Sequence, residues 1–160
     1  MSNKMLNLKA IQWILNKREL QRIRDHLDTK ADGNLPGNIH SVAEALLVFL
    51  ESLEEPVIPF KMYQKCLECS NNYTLCKQMV MNLPPSHRNV FRYLIEFLKE
   101  LLFYSSYNGL EPKVLATIFG AIMLRPPPNM EPLSGKQLSQ QVQRRGVYSN
   151  LLTGLCHPCV

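Results

Sequence analysis

The chain is poor in the residues and patterns that mark most chemistry-bearing proteins. Among 160 residues it has one tryptophan and seven glycines. No run of about 18 apolar residues occurs, so no membrane-spanning helix is expected. There is no G-x-G-x-x-G turn, no phosphate-cradling Walker loop and no acidic calcium-binding loop, which removes the usual dinucleotide, nucleotide and calcium sites. No strand-type alternation persists and no internal repeat is present, which excludes a sheet-built core and a solenoid. The N-terminus, MSNKMLNLKAIQW, lacks the apolar core of a secretion signal. No cluster of about five like charges exists, so neither a polybasic membrane anchor nor a basic nucleic-acid arm is expected.

What charge there is lies at the ends. The chain carries 18 basic and 13 acidic residues, a net +5. Residues 1–39 hold seven basic and four acidic residues, residues 40–127 eight of each, and residues 128–160 three and one. A domain that reads nucleic acid carries its basic stripe on the folded body. Here the best-patterned segment is neutral, which argues against nucleic acid as a partner.

What is present is helical periodicity. Residues 5–28 place Leu8, Ile11 and Leu15 on one face and Leu20, Ile23 and Leu27 on one face. A Gly- and Pro-bearing loop follows over 29–39. Ser41 and Glu44 have the spacing of a capping box. Ala43, Leu46, Leu47, Leu50 and Leu53 then form an apolar stripe, and Pro56 and Pro59 end the helix. Helices are expected over 61–70, with Met62, Cys66 and Leu67 inward, over 72–82, and over 86–104, where Val90, Phe91, Leu94, Ile95, Leu98, Leu101 and Leu102 repeat at helical spacing. A last helix is expected over 112–124, before RPPP. Residues 128–155 are polar and weakly periodic, readable as a loose helix over 134–145 or as a segment without structure. The fold class is all-α.

Candidate chemistry is thin. Cys66/Cys69 and Cys156/Cys159 form two C-x-x-C pairs, but 87 residues separate them and Cys66 falls on an apolar helix face; buried free thiols suit the pattern better than zinc ligation or redox exchange. The odd count of five cysteines, without a secretion signal, points to a reducing, cytoplasmic setting. His26, His40, His87 and His157 have no serine or cysteine partner in a recognisable order. Trp13 reads as a core residue, and Glu51, Glu54 and Glu55 as a solvated helix end. No cofactor or metal is expected.

Three segments carry more than periodicity: HSVAEALLVFLESLEEPVI (40–58), LPPSHRNVFRYLIEFLKELL (83–102) and VLATIFGAIMLRPPP (114–128). Their order and spacing resemble the RhoGAP domain, an all-α module that accelerates GTP hydrolysis on Rho-family GTPases. HSVAEALLVFLESL, CLECSNNYT and HRNVFRYL look most like the RhoGAP-like domain of the type II inositol polyphosphate 5-phosphatases. The resemblance implies three segments: a divergent helical stretch over 1–18, the RhoGAP-like body over 19–128 and a divergent polar tail over 129–160. It implies an incomplete domain, truncated or spliced at both ends.

RhoGAP catalysis demands an arginine in trans, because phosphoryl transfer builds charge on the phosphate oxygens. By ungapped registration Gln12 stands at the finger position. The Lys and Arg that active members carry four apart match Leu47 and Glu51. Two functional asparagines match His87 and Val114. The retained matches, Leu46, Phe49, Leu94, Leu115, Phe119 and Gly120, are core types. The resemblance therefore implies a catalytically silent interaction domain, neither GTPase activator nor phosphatase, whose GTPase-facing positions are Gln12, Leu47, Glu51, His87 and Val114. The partners it implies are Rho/Rac- or Arf-type small GTPases and adaptor peptides with a phenylalanine-and-histidine motif, with recruitment to endosomal or Golgi membranes and no direct membrane insertion. The alternative is a weak activator using Arg18, Arg22 or Arg24, three arginines otherwise read as exposed helix positions.

Overall fold

A computed structural model describes residues 2–29, 33–130 and 146–147, with residues 2–15 described as helical backbone. The ordered chain divides into two compact units, Met1–Ser52 and Leu53–Val160. No strand occurs among the described residues, so the expected all-α class holds.

The first unit is a helical pair. α1 spans Ser2–Thr29 and α2 spans Ile39–Ser52, and the two pack on one another. The turn before α2 is built by Glu19 and Gly37. Gly37 adopts φ +102°, a left-handed conformation open to glycine, and lies against Ile23 and Glu19. The cap of α2 differs from the expected capping box. Asn38 holds that place: its side-chain oxygen accepts from the Ser41 N–H at 3.0 Å. Ser41 is buried, and its hydroxyl donates instead to the Glu19 carboxylate, which also accepts from the Asn38 side-chain amide at 3.1 Å. One carboxylate thus ties α1 to the start of α2. Of the two expected stripes, Ile23 and Leu50 are buried, whereas Leu46, Leu47 and Leu53 are half-buried and Ala43 and Leu27 are exposed. Leu8, Ile11, Trp13 and Leu15 lie outside the described side chains.

The second unit holds the larger core. Pro56, Val57, Ile58 and Pro59 form a buried link that bends at Val57 and Ile58, and the Ile58 N–H donates to the Met123 carbonyl at 3.0 Å. The helix expected over 61–70 is a 3₁₀ turn, Phe60–Met62, followed by α3, Tyr63–Glu68. α4 spans Tyr73–Met81 and is capped by Asn72, whose side-chain oxygen accepts from the Leu75 N–H at 3.1 Å. α5 spans Pro85–Phe103, and Pro85 sits in its first turn, where a missing N–H costs nothing. A short α6, Ser105–Asn108, was not evident in the periodicity; Gly109, at φ +67°, closes it. α7 spans Pro112–Met123.

Phe91, Leu94, Ile95 and Leu98 of α5 are buried as their spacing predicts; in α7 Leu115, Phe119 and Gly120, core types by resemblance, are buried together with Ala116, Ile122 and Met123. Val90 is exposed and Leu101 and Leu102 are half-buried, so the α5 stripe is narrower than its apolar residues suggest. Far along the polar tail, Gly146 and Val147 are helical and Val147 is fully buried. A Cβ on Gly146 would lie 3.1 Å from the Ser70 carbonyl oxygen, so this pair is seated just beyond the end of α3. The helix considered over 134–145 lies outside the described residues.

Candidate functional site

The five positions singled out by resemblance fall in both units. Gln12 is in α1, with its side chain outside the described ones; Leu47 and Glu51 are in α2; His87 is in the first turn of α5; Val114 is near the start of α7. Leu47 and Glu51 stand four residues apart, which on a helix makes them neighbours on one face. Leu47 is half-buried and Glu51 exposed. Val114 is 46% exposed and apolar. In the first unit these positions present an apolar side chain and a carboxylate, and in the second an imidazole and an apolar side chain.

His87 is fixed by its own unit. Its Nδ1–H donates to the Val57 carbonyl at 3.0 Å, and Nε2 lies 3.9 Å from a Glu55 carboxylate oxygen. The carbonyl can only accept, which assigns the proton to Nδ1. Leu53, Glu55, Val57, Ser86, His87 and Val90 border a shallow hollow around the ring. This tie between α5 and the link is invisible in sequence because 30 residues separate its ends.

Three arginines on α1, at 18, 22 and 24, are exposed, as their helix spacing predicts. Phe49 is 60% exposed rather than buried. It lines a groove between α1 and α2 with Leu20, Leu27 and Val48. The apolar stripe of α2 therefore wraps past the packed face.

The cysteines read as structure rather than chemistry. Cys66, Cys69 and Cys76 are free and buried, and the Cys76 thiol donates to the Cys69 carbonyl at 3.0 Å. Burial, reinforced by the neighbouring thiols Cys69 and Cys76, pushes the Cys66 thiol up to about 12, and burial pushes Cys76 to about 11 and Cys69 upward. A reactive cysteine needs the opposite shift. No group of three or more metal-ligating side chains occurs among the described residues; Cys156, His157 and Cys159 lie outside them. Iodoacetamide at pH 8 is accordingly expected to leave Cys66, Cys69 and Cys76 unmodified until urea unfolds the chain, as read by peptide mass spectrometry. The sign for stability follows. The folded state holds these protons above the pH at which unfolded thiols, near 9.0, release them. Their contribution is complete below about pH 9 and falls as pH rises above it, up to about 11 for Cys76 and about 12 for Cys66.

The all-helical architecture agrees with comparison to solved structures. A RhoGAP domain model matches residues 14–128. The chain belongs to the RhoGAP domain family. Over 109 residues this RhoGAP chain is 55% identical to the mouse type II inositol 1,4,5-trisphosphate 5-phosphatase, covering 68% of the chain and 11% of that protein. It is 37% identical over 118 residues to mouse Rho GTPase-activating protein 22, covering 65% of the chain and 17% of that protein. Its fold matches the crystal structure of human Rho GTPase activating protein 15 with a TM-score of 0.75 at 24% identity, over 86% of this chain and 68% of the other. The RhoGAP chain thus spans a small part of the curated relatives it resembles. No helix among its described residues is long and apolar enough to cross a membrane.

Proposed function

We propose that this RhoGAP domain is a catalytically silent interaction module that binds Rho/Rac- or Arf-type small GTPases. The observation that carries the reading is the character of the GTPase-facing positions. Where active members place two cations on the second helix, this chain has half-buried Leu47 and exposed Glu51. Where an asparagine is needed on the next conserved helix, His87 spends its Nδ1–H on the Val57 carbonyl. The finger position falls on Gln12, within continuous helix. A neutral amide does not supply the delocalised charge of a guanidinium. The fold-bearing apolar residues persist while the charge-bearing ones do not, which favours binding over acceleration.

The body over 19–128 carries this function, flanked by the divergent stretches 1–18 and 129–160. We further propose, on the likeness to the 5-phosphatase, a second class of ligand, adaptor peptides with a phenylalanine-and-histidine motif, and recruitment to endosomal or Golgi membranes. The test is a pull-down with GTPγS- and GDP-loaded Rho-family proteins beside a phenylalanine-and-histidine peptide, with single-turnover GTP hydrolysis measured on the same preparation. Capture of a GTPase without acceleration of hydrolysis is the expected outcome. A stimulation above about 100-fold that Arg18→Ala or Arg22→Ala abolishes would overturn the silent reading, because loss of an arginine finger costs about 10³ or more.

A further inference from the structure

A second surface, within the second unit, shares no residue with the five matched positions. α4 and α5 border a groove of about 230 Å³. Its floor is apolar, formed by the buried Phe91 and Ile95, and Met81 stands 60% exposed at its wall. Such an exposed, unbranched thioether adapts to varied apolar partners. Around this floor stand Lys77 from α4 and Arg92 and Lys99 from α5. The single acidic side chain among the groove residues is Glu96. Residues 53–130 hold eight basic and six acidic residues. The groove takes three of those eight bases and one of those six acids, so the positive surplus of this segment is gathered around one apolar slot.

Size and charge together select the occupant. At about 230 Å³ the slot is smaller than the ~300–1,000 Å³ of small-molecule pockets, and suits one or two side chains. Cations arranged around an apolar floor complement a peptide that carries a bulky apolar anchor between carboxylates. We propose that the α4–α5 groove docks a short acidic peptide segment of a partner protein, its anchor side chain seated over Phe91 and Ile95 and its carboxylates facing Lys77 and Arg92. Occupancy of this groove does not depend on the reading above, since none of its lining residues is one of the five matched positions.

The test uses the full 160-residue chain and a fluorescein-labelled peptide with a Leu-Phe anchor set between glutamates, read by fluorescence polarisation. Saturable binding with Kd below about 100 µM is expected. Lys77→Glu with Arg92→Glu should weaken it at least about tenfold, through lost complementarity. Both side chains are exposed, so the helix signal in circular dichroism should not change. Met81→Asp, on the apolar wall, should weaken it as well. Several results would overturn the proposal: absence of saturable binding, equal binding of a control peptide with alanines for the anchor, or indifference to charge reversal. Binding to phosphatidylserine vesicles in place of the peptide, or self-association of the chain through the same residues in sedimentation, would also overturn it.

Discussion

Leu98→Ala is expected to lower the unfolding free energy of the chain by about 2–5 kcal/mol, whereas Phe49→Ala lowers it by less than about 1 kcal/mol. Both residues sit on apolar helix stripes and both look like core positions in sequence. Leu98 has no exposed surface, and its α5 neighbours Phe91, Leu94 and Ile95 are likewise buried. Removing its branched end loses transfer energy and leaves a cavity that a close-packed interior fills only in part. Phe49 is 60% exposed, so truncation removes little surface from contact that was not already wet. Against a typical total of about 5–15 kcal/mol the first change is a large fraction of stability. Urea unfolding followed by circular dichroism measures both. Equal costs, or a Leu98→Ala cost under about 1 kcal/mol, would contradict the core described for the second unit.

Restoring the missing cations of α2 should have the second large effect. The double variant Leu47→Lys, Glu51→Arg replaces an apolar and a repulsive group by two donors four residues apart, hence on one helix face. A hydrogen bond to a charged group contributes about 1.5–3 kcal/mol net, so a recovered contact should tighten GTPase binding by about 10- to 100-fold. The gain should shrink as salt rises, since both positions lie at the surface of α2. On the proposed reading hydrolysis should stay slow, because the finger position, matched to Gln12 by resemblance, gains no arginine. Binding is checked by titration of a labelled, GTPγS-loaded Rac-type GTPase. An unchanged Kd at low salt would mean that this face of α2 does not meet the GTPase.

The helices themselves were readable because apolar spacing and proline placement act locally. The α5 stripe needed no tertiary information, and α5 and α7 lie within a residue of the spans expected, 86–104 and 112–124. The departures along the apolar stripes share one cause. Periodicity reports which face is apolar, not how much of that face another element covers. Ala43, Phe49 and Val90 lie on or beside genuine stripes and remain exposed. The cap of α2 was misassigned because Asn38 and Ser41 are both good capping residues; the choice between them was made by Glu19, 22 residues before Ser41 and unreadable from the local pattern. Val147 is buried although its surroundings are polar and aperiodic, because its seat beyond α3 is a long-range packing event. At the candidate site, residue identity at Leu47, Glu51, His87 and Val114 came from family-like motifs. The hydrogen bond that fixes His87 on Val57 required coordinates.

On the proposed reading this RhoGAP domain has kept its framework and lost its chemistry. Single-turnover hydrolysis of GTP on a Rac-type GTPase, with the chain in saturating excess, tests it most directly. The account predicts a rate within about tenfold of the intrinsic one, against the 10³–10⁵ that an arginine finger contributes. Acceleration of about 10³ or more, abolished by replacing one arginine of this chain, would contradict it.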